Sequence, residues 1–582
     1  MKSLLIFLPS FNPQLIRYYS HYYFTFTIKA KHFMIRSCLI ILIALTSQQF
    51  YAQLPLINQP IIASTNQSVF VSPTGNDSNP GTKFLPKKTF SSAISKIDFG
   101  IPGINNGQNY GEIVLLQGDY YPVGSNALIQ NENQWRKNIN GTFVYKNISI
   151  RGEGSVIIHG DSLNANTQMI FLQSSKISIK NIKIKNAPLH GIMCIGSAIK
   201  HHSDVFIDSV QVHGALDFGI LFIGYDRVLV QNSVIANTCL RNENEKNNVC
   251  QWASGLRAGN CSHVTFRKNE VYHNWGEGIN TSLSEYIKVH DNIVYDNYSV
   301  NIYAHSASRA IFSHNLIYNI DSTFWRYCYN GKGFSAGLSI ANELTCTNAC
   351  FLWGNQCGSL ESCCSETDYD HPILTFVNYK QADSIFVFNN ILLGSNIEVW
   401  DAFSGFANYA NLSNIFLACN TLIDHIGTKE TTKSLVGLVL NTNFVNFKNL
   451  RLTNNILAIS PVVQNSYEMQ VSIPYGTCNG NWQKELTISG NLWSKLPTVS
   501  GLDFSFDSQN LLLPTKILVD DVSLIIPSKD NPQFIYNTKI PEYITDDFYH
   551  FQRSNPSNSG AIEFQKSNLT TENEVDKIDF VI

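Results

Sequence analysis

The residues best suited to chemistry in this sequence recur at one position of a repeated short segment. Arg257, Asn280 and Tyr303 each follow an apolar residue, in "GLRAGN", "GINTSL" and "NIYAHS", and lie 23 residues apart. Glu277 precedes Asn280 by three residues, and His305 follows Tyr303 by two. An arginine can neutralise a carboxylate, and a tyrosine or histidine can transfer a proton. These groups suit β-elimination at a uronic-acid residue, in which the acidic C5 proton is removed and the C4 oxygen is expelled.

Six side chains are the candidates for such a site. Arg257 would pair with the sugar carboxylate or, with a depressed pKa, act as the base. Tyr303 or His305 would move the proton. Two simpler explanations stay open: an outward polar column can be a solvated surface, and Trp275 can pack a turn. The predicted catalytic residues are Arg257, Tyr303 and His305, and the predicted substrate-binding residues are Asn280, Glu277 and Trp275.

Other functions fit the same region of the chain. Glu277 and Asp217 could be the two carboxylates of a glycoside hydrolase, which uses one as acid and the other as base or nucleophile. The chain could also bind a glycan without catalysing a reaction, because similar scaffolds serve many functions. No tight group of metal-ligating residues is evident in the sequence, so we predict no metal ligand.

The elements that position these residues are copies of one short frame. "SHVTFRKNEVYHN" from Ser262, "EYIKVHDNIVYDN" from Glu285 and "SRAIFSHNLIYNI" from Ser308 alternate apolar and polar residues, break at an asparagine and alternate again. Alternation over four or five residues is typical of a strand. A repeat this short must stack on its neighbours to bury its apolar face. The pattern therefore predicts a parallel β-solenoid.

The frame also predicts where particular side chains point. Stacked carboxamides can hydrogen-bond along a solenoid, so we expect the asparagines at the breaks to form an internal ladder. In the third strand that follows each break, alternation places one residue inward and the next outward. The predicted ladder is Asn269, Asn292, Asn315, Asn390, Asn420, Asn455 and Asn491. The predicted inward residues are Ile192, Ile220, Leu256, Ile279 and Ile302, and the predicted outward column is Met193, Leu221, Arg257, Asn280 and Tyr303.

These repeats resemble those of the right-handed parallel β-helix superfamily, the pectate-lyase-like fold. The segments "VFVSPTGNDSNPGTKFLPKKTFSSAISKI" from Val69 and "GEIVLLQGDYY" are similar to the opening of many secreted bacterial polysaccharide lyases and related β-helix proteins. "FQRSNPSNSGAIEF", ending at Phe564, resembles the closing segment of many such exported proteins. The resemblance implies a carbohydrate-active protein with a polysaccharide as its partner, and a lyase as its first candidate activity. The same frame also serves hydrolases, epimerases and adhesins.

The resemblance raises the question of calcium. Known β-helix lyases often use calcium together with an arginine or lysine base, so calcium is a possible cofactor. However, the sequence contains no aspartate cluster that matches those calcium sites. Asp77, in "GNDSNPGT", is better explained as a turn residue that bonds its own backbone.

The residues after this turn predict a helix at the N-terminal end of the solenoid. Phe90, Ala93, Ile94 and Ile97 fall at helical spacing and form one apolar stripe. A helix laid across the first coil would cover the exposed core and the first strand edges. The predicted fold class is therefore all-β, a right-handed parallel β-helix with an N-terminal helical cap.

The chain divides into four predicted regions. The stretch "MIRSCLIILIALTSQQFYAQ" has the order of an export signal, its apolar core is too short for an anchor, and Met34 could be the true start. We expect a secreted, periplasmic or cell-surface protein without a transmembrane segment in the mature chain. The predicted regions are a signal region at 1–52, a cap with the first strands at 53–145, a β-helix at 146–500 with a Cys-rich insertion at 325–371, and a C-terminal segment at 501–582.

Cysteine usage and charge agree with export. Removing Cys38 leaves twelve of the 13 cysteines, an even number that favours disulfides in an oxidising compartment. Six of them, between Cys328 and Cys364, favour a disulfide-braced insertion over a zinc site, because no Cys-x-x-Cys pair is matched by a second pair or by a histidine pair. Cys239 could form a bridge with Cys250. The net charge of −3 gives no electrostatic argument for binding nucleic acid.

Overall fold

The structure is a computed structural model that describes stretches of the chain between Leu54 and Ala561. The described residues after Leu54 belong to one compact unit. The predicted signal region at 1–52 lies outside the described residues. The described residues are 54–125, 127–130, 132–196, 202–244, 253–324, 336–342, 382–401, 412–423, 437–442, 448–458, 469–472, 485–493, 537–538, 540–553, 557–558 and 560–561.

The unit is a succession of coils whose short strands lie in three stacks. In one coil, Ser262–Arg267 lies in the first stack, Glu270–Tyr272 in the second and Glu277–Ser282 in the third. Equivalent strands of consecutive coils pair in parallel, as Ser262–Arg267 does with Glu285–His290. The predicted fold class is thus confirmed, because the two alternating segments of the frame and the strand that follows them form the three stacks.

The strands of the first two stacks are linked into one sheet. The described strands of the first stack are Gln67–Val71, Gln108–Tyr120, Thr142–His159, Ile177–Lys180, His202–Asp208, Tyr225–Gln231, Ser262–Arg267, Glu285–His290, Ser308–Ser313, Asp383–Phe388, Ser413–Ala418, Lys448–Thr453 and Leu486–Ser489. Those of the second stack are Lys183–Ala187, Gln211–Ala215, Val234–Ala236, Glu270–Tyr272, Ile293–Tyr295, Leu316–Tyr318, Ile391–Leu393, Thr421–Ile423, Ile456–Ala458 and Leu492–Trp493. The long strand Thr142–His159 of the first stack also pairs with Lys183–Ala187 of the second stack.

The third stack is a separate parallel sheet, and it carries the candidate residues. Its described strands are Leu128–Ile129, Ile170–Leu172, Ile192–Ile195, Ile220–Ile223, Ser254–Gly259, Glu277–Ser282, Val300–His305, Ala336–Asn342, Asn396–Asp401, Gly437–Thr442 and Met469–Ser472. The other described elements are the strands Arg136–Ile139, Asn537–Thr538 and Ser557–Asn558, the α-helices Phe90–Lys96, Glu132–Trp135 and Leu240–Asn244, and the 3₁₀ turns Asn105–Gly107 and Ser322–Phe324.

One apolar core runs through the coils and contains the residues that alternation placed inward. Consecutive third-stack strands pair these inward residues with one another, for example Leu256 with Ile279 and Ile279 with Ile302. All of them are fully buried in the main core cluster. Because the side-chain period of a strand is two, this register fixes which residues face away from the core.

The asparagine ladder forms as predicted. It joins Asn269, Asn292, Asn315, Asn390, Asn420, Asn455 and Asn491 in that order. At every step the backbone N–H and the Nδ2 of one asparagine donate to the Oδ1 of the next, over 2.9–3.1 Å. The residue before each ladder asparagine adopts a left-handed backbone, as at Asp291 and His314, both with φ of 56°. The ladder therefore satisfies the polar groups of a sharp bend inside the core.

A second, shorter ladder lies at the bend before the third stack, and the sequence did not predict it. The Nδ2 atoms of Asn274, Asn297 and Asn301 donate in turn to the Oδ1 atoms of Asn297, Asn301 and Asn319, each over 2.8 Å. Asn301 itself lies in the strand Val300–His305. This ladder therefore fixes where the strands that carry the candidate residues begin.

The N-terminal helix forms where the apolar stripe predicted it. Phe90–Lys96 is helical, and Thr89 caps it by accepting a hydrogen bond from the Ser92 N–H over 3.2 Å. Phe90, Ala93, Ile94 and Ile97 are buried in the main core cluster. That the helix closes the N-terminal end of the solenoid stays a prediction.

Asp77 bonds the backbone as predicted, but not the backbone of its own turn. Its Oδ1 accepts the N–H groups of Lys88 and Thr89 over 3.0 and 2.9 Å, and its Oδ2 accepts the Thr89 hydroxyl over 2.9 Å. Partial burial raises the pKa of Asp77, but the hydrogen bonds from Thr89 and Lys88 outweigh it and lower the pKa. The carboxylate thus anchors the turn to the start of the helix.

Replacing Asp77 by alanine is expected to reduce the free energy of unfolding by about 1 kcal/mol, because the helix start loses its anchor. Since the folded-state pKa of Asp77 is depressed, this stabilisation is present above the pKa of the unfolded state. It is lost as the pH falls through the folded-state pKa. Urea unfolding at neutral and acidic pH measures both effects. Asp98→Ala, at an exposed aspartate of the same region, is the control. Equal losses in the two variants would contradict the anchoring role.

One strand lies inside the range predicted as the Cys-rich insertion, 325–371. Ala336–Asn342 pairs with Val300–His305 on one side and with Asn396–Asp401 on the other. The coil that begins with Ser308–Ser313 is therefore completed within that range. The six cysteines from Cys328 to Cys364 lie outside the described residues. Within the described part of the chain, no helix is long and apolar enough to cross a membrane.

Candidate functional site

The predicted outward column forms on the outer side of the third stack. Its members align one above another: Met193 pairs with Leu221, Leu221 with Arg257, Arg257 with Asn280, and Asn280 with Tyr303. His305 pairs with Ser282 in the neighbouring column. Met193 and Leu221 belong to a cluster separate from the main core. The structure thus brings Arg257, Asn280, Tyr303 and His305 together on one side of the sheet.

The candidate side chains face away from the core but are not solvated. Their exposed fractions are 4% for Arg257, 1% for Asn280, 6% for Tyr303, 1% for His305, 2% for Glu277 and 4% for Trp275. The simpler explanation of a solvated polar surface is therefore wrong. A buried arginine near a buried glutamate requires hydrogen-bond partners, because removing both charges from water costs several kcal/mol per ion.

A chain of hydrogen bonds supplies partners to these groups. The Ser254 hydroxyl donates to Glu277 Oε2 over 2.7 Å, and Asn280 Nδ2 donates to the same oxygen. The Ser282 hydroxyl donates to Asn280 Oδ1, and Arg257 Nη2 donates to Ser282 Oγ over 3.2 Å. The network therefore links the glutamate to the arginine through one asparagine and one serine. The two serines are site residues that sequence reasoning missed.

Aromatic rings lie beside this network. The Arg257 guanidinium carbon lies 5.6 Å from the centre of the Phe218 ring, a separation that permits a cation–π interaction. The Tyr303 and His305 rings are stacked, with their centres 5.6 Å apart and their planes at 24°. Tyr303 and His305 thus lie side by side at the edge of the polar network.

Trp275 packs among other aromatic residues. Its ring lies 5.7 Å from Tyr298 and 4.9 Å from Phe324, and the Asn242 side chain donates to its backbone oxygen over 2.7 Å. Such surroundings fit a packing role rather than an open sugar platform. Its role in substrate binding stays a prediction.

The second carboxylate of the hydrolase alternative, Asp217, is held by an arginine. Arg241 Nε and Nη2 donate to the two carboxylate oxygens of Asp217 over 2.9 and 3.1 Å. Asp217 is 7% exposed. Because both of its oxygens are engaged by one guanidinium, Asp217 is poorly placed to activate a water molecule.

Cys239 is a buried free thiol that feels the charges of both carboxylates, Asp217 and Glu277. Cys239 therefore does not take part in the predicted bridge, and its predicted partner, Cys250, lies outside the described residues. Burial raises the pKa of its thiol, and the charges of Asp217 and Glu277 raise it further, since an anion is disfavoured beside two carboxylates. The thiol packs in an apolar cluster with Trp275 instead of forming a covalent link.

Four buried cysteines are expected to resist alkylation in the native protein, because their sulfurs are inaccessible. They are Cys194, Cys239, Cys261 and Cys419. Iodoacetamide should modify them after unfolding in urea but not in the native protein, and no reductant should be needed. Peptide mass spectrometry measures the modification. If Cys239 is modified only after reduction, it is disulfide-bonded and the free thiol described above is incorrect.

Sequence reasoning also missed residues that extend the column or flank it. Ser339 and Glu398 continue the column beyond Tyr303, in the two following coils. His190 is 2% exposed, its ring lies 5.4 Å from Phe218, and burial lowers its pKa to about 4. A histidine that stays neutral at ordinary pH is a possible proton acceptor. The frame gave no signal for His190, because it lies in the turn before a strand that is otherwise apolar.

Metal-ligating side chains among the described residues do not gather at this site. The group that could hold an ion is Asp291, His314 and His550, at the bend between the first two stacks. Calcium at the candidate site therefore has no described ligand set to support it.

Comparison with known proteins identifies the fold. Residues 169–358 match the family described as "Right handed beta helix region". No protein of curated function matches the sequence significantly. Among solved structures, the chain is similar to a rhamnogalacturonan lyase, with 11% identity, coverage of 75% of this chain and 90% of the other, and a TM-score of 0.40.

Two further solved structures show the same kind of similarity. Pectate lyase Pel9A has 14% identity, coverage of 86% and 97%, and a TM-score of 0.40. The A-module of the Azotobacter vinelandii mannuronan C-5 epimerase AlgE4 has 12% identity, coverage of 67% and 91%, and a TM-score of 0.30. These values are too low to transfer an activity to this chain. With the three parallel stacks described above, the family match shows that this chain is a right-handed parallel β-helix protein.

Proposed function

We propose that this chain is an exported carbohydrate-active protein that cleaves a uronate-containing polysaccharide by β-elimination. The proposed site is the outer side of the third stack, around Arg257, Asn280, Tyr303 and His305. The observation that carries the proposal is the burial of Arg257 and Glu277 in one hydrogen-bonded network.

A purely structural role does not explain these two charges. The coils on one side place Met193 and Leu221 at the same column position, so apolar side chains are accommodated there. Buried ion pairs contribute little net stability compared with apolar residues of similar size. Buried ionisable groups that are costly in this way are concentrated at functional sites. The change from apolar to polar at Arg257 therefore supports a site for a charged substrate.

In the proposed reaction, Arg257 pairs with the carboxylate of the sugar residue. Its positive charge stabilises the negative charge that develops when the C5 proton leaves, as preorganised donors do in other enzymes. Tyr303 or His305 takes the C5 proton and returns a proton to the departing C4 oxygen. The C5–H and C4–O bonds break, a C4=C5 double bond forms, and the polymer is divided without water being consumed.

Glu277 and Asn280 have a positioning role in this proposal. Glu277 accepts hydrogen bonds from Ser254 and Asn280, and Asn280 accepts one from Ser282, the serine bonded to Arg257. The orientation of the guanidinium thus depends on a chain that ends at Glu277. A glycoside hydrolase that uses Glu277 and Asp217 is the weaker alternative, because Arg241 holds both oxygens of Asp217.

Incubation of the mature protein with a panel of uronate polymers tests the proposal. Pectin, alginate and glycosaminoglycans are each offered with calcium and with a chelator. A lyase produces an unsaturated product that absorbs in the ultraviolet, whereas a hydrolase produces reducing ends without that absorbance. Retention on an immobilised polymer without any product would indicate a binding protein. No absorbance change with any polymer would contradict the proposed elimination.

A further inference from the structure

A cluster of histidine and aspartate side chains joins the C-terminal segment to the bend between the first two stacks. Asp291 and His314 precede ladder asparagines in consecutive coils, and both have the left-handed backbone of that bend. Asp546 and His550 come from the segment 540–553. One ligand atom from each of Asp291, His314 and His550 lies within 4.8 Å of the others. Sequence reasoning predicted no metal ligand, and these residues lie at the bend between the first two stacks and in the C-terminal segment, not in the third stack that carries the candidate catalytic residues.

We propose that this cluster binds a divalent transition-metal ion such as Zn²⁺, through Asp291, His314 and His550. Imidazole nitrogens together with a carboxylate favour zinc and its neighbours in the first transition row. Calcium and magnesium prefer a shell made of oxygen atoms. Ligand atoms in a tetrahedral zinc site lie about 3.4 Å apart, since zinc–ligand distances are about 2.1 Å. Small side-chain rotations would therefore be enough to close the site around an ion.

The side chains are already oriented as metal ligands usually are. His550 Nε2 lies 2.8 Å from Asp291 Oδ1, while His550 Nδ1 lies 3.1 Å from Asp546 Oδ2. A carboxylate on the second ring nitrogen fixes the tautomer of a metal-binding histidine and increases its basicity. Asp291 Oδ2, the oxygen that does not face His550, lies 2.7 Å from His290 Nδ1. Asp291 and His550 are thus each oriented by a hydrogen bond at one polar atom, while their other polar atoms, Oδ1 and Nε2, lie close together.

The two imidazole rings that would share the ion also lie close together. The His314 and His550 rings have their centres 4.3 Å apart and their planes at 22°. Asp546 Oδ1 lies 3.4 Å from His314 Nε2. Asp546 could therefore act as a fourth ligand or hold a bound water. Asp291 and Asp546 bring two carboxylates to the cluster, and a divalent cation would offset their negative charge.

The backbone that carries these ligands is fixed on both sides. On the solenoid, the asparagine ladder fixes the bend at Asp291 and His314. In the C-terminal segment, Asp547 Oδ1 accepts the N–H groups of Tyr549 and Phe551, each over 2.9 Å, and forms a tight turn before and after His550. A site built between two fixed backbones needs little reorganisation on binding.

Other contacts hold the C-terminal segment on the solenoid even without an ion. Asn389 occupies the same bend position as His314 in the following coil. Its Nδ2 donates to the Asp546 carbonyl over 2.8 Å. Arg553 Nη2 donates to Asn389 Oδ1 over 3.0 Å and to the Gly560 carbonyl over 2.7 Å. The side chain of His550 is half exposed, so an ion could reach the cluster from solvent. We therefore expect the ion to strengthen an existing contact rather than to create it.

Titration of the mature protein with Zn²⁺ tests this inference. The protein is purified without a histidine tag, treated with a chelator and dialysed, and binding is followed by calorimetry. We expect one equivalent of Zn²⁺ to bind and to raise the Tm, because a ligand that binds only the folded state stabilises it. His314→Gln and His550→Gln should each weaken Zn²⁺ binding at least tenfold and remove the Tm shift. His550→Gln alters a half-exposed side chain, so the variant is expected to fold.

His159→Gln is the matched control, because His159 also contacts a carboxylate, Asp119, over 2.9 Å. This variant should bind Zn²⁺ as the unaltered protein does. Three results would overturn the inference: no Zn²⁺ binding, binding that persists in both His314→Gln and His550→Gln, or binding of Ca²⁺ that competes equally with Zn²⁺. The measurement is independent of the polysaccharide, so its outcome leaves the proposed elimination untouched.

Discussion

Arg257→Ala is expected to reduce the release of unsaturated product by more than about 100-fold, because the charge that stabilises the transition state is removed. Arg257→Lys keeps the positive charge but concentrates it on one ammonium group. An ammonium cannot form the two parallel hydrogen bonds that a planar guanidinium makes to a carboxylate. We therefore expect an intermediate loss for the lysine variant.

The kinetic signature of this loss is a change in substrate discrimination. If Arg257 pairs with the sugar carboxylate, the unaltered protein should prefer a free uronate polymer over its methyl ester. Arg257→Ala should lose most of that preference, measured as the ratio of kcat/KM values for the two polymers. An equal loss on acid and ester, with the ratio unchanged, would contradict the pairing and leave Arg257 as a base or a structural residue.

Arg267→Ala is the matched control for this experiment. Arg267 lies in the first-stack strand of the coil that follows the Arg257 strand, and it donates to Gln231 Oε1 over 2.9 and 2.7 Å. It is part-buried and hydrogen-bonded, but it faces a different side of the solenoid. Its removal should leave both the rate and the discrimination unchanged, so a loss of activity in this variant would point to general destabilisation.

The direction of the site residues could be predicted because it depends only on local alternation. Ile279 and Asn280 are neighbours on a strand, so once Ile279 is in the core, Asn280 must face outward. The asparagine breaks set the register between coils. Arg257, Asn280 and Tyr303 are spaced by 23 residues, as are Asn269, Asn292 and Asn315, so the three site residues could be aligned from the sequence. For the same reason the ladder itself could be read from the sequence.

The burial of the site could not be predicted, because alternation shows which way a side chain points and not what lies over it. Phe218 packs on Arg257, and Phe324 packs on Trp275. Neither aromatic residue is close in sequence to the side chain that it covers. The strand Ala336–Asn342 was missed for a related reason, since it interrupts a range dominated by cysteines. Contacts between distant parts of the chain, such as that of His550 with Asp291 across 259 residues, carry no local signal at all.

Asn390→Ala is expected to lower the free energy of unfolding by about 3 kcal/mol or more, because each buried polar group left without a partner costs about 1–3 kcal/mol. Asn390 is fully buried in the middle of the ladder. Its Oδ1 accepts from the backbone N–H and the Nδ2 of Asn315, and its Nδ2 donates to the Phe312 carbonyl and to Asn420 Oδ1. Alanine removes all of these bonds and leaves a cavity at a bend that cannot collapse easily.

Two further variants separate the ladder from a general effect of losing an asparagine. Asn164→Ala, at an exposed turn, should change the free energy of unfolding by less than about 0.5 kcal/mol. Asn390→Asp keeps the acceptor oxygen but places a buried carboxylate where Nδ2 donated. Burial raises the pKa of such a carboxyl in the folded state, so this variant should recover stability relative to the unaltered protein as the pH falls through that pKa towards the pKa of the unfolded state. Urea unfolding across pH measures the recovery, and equal losses in Asn390→Ala and Asn164→Ala would show that the ladder contributes little.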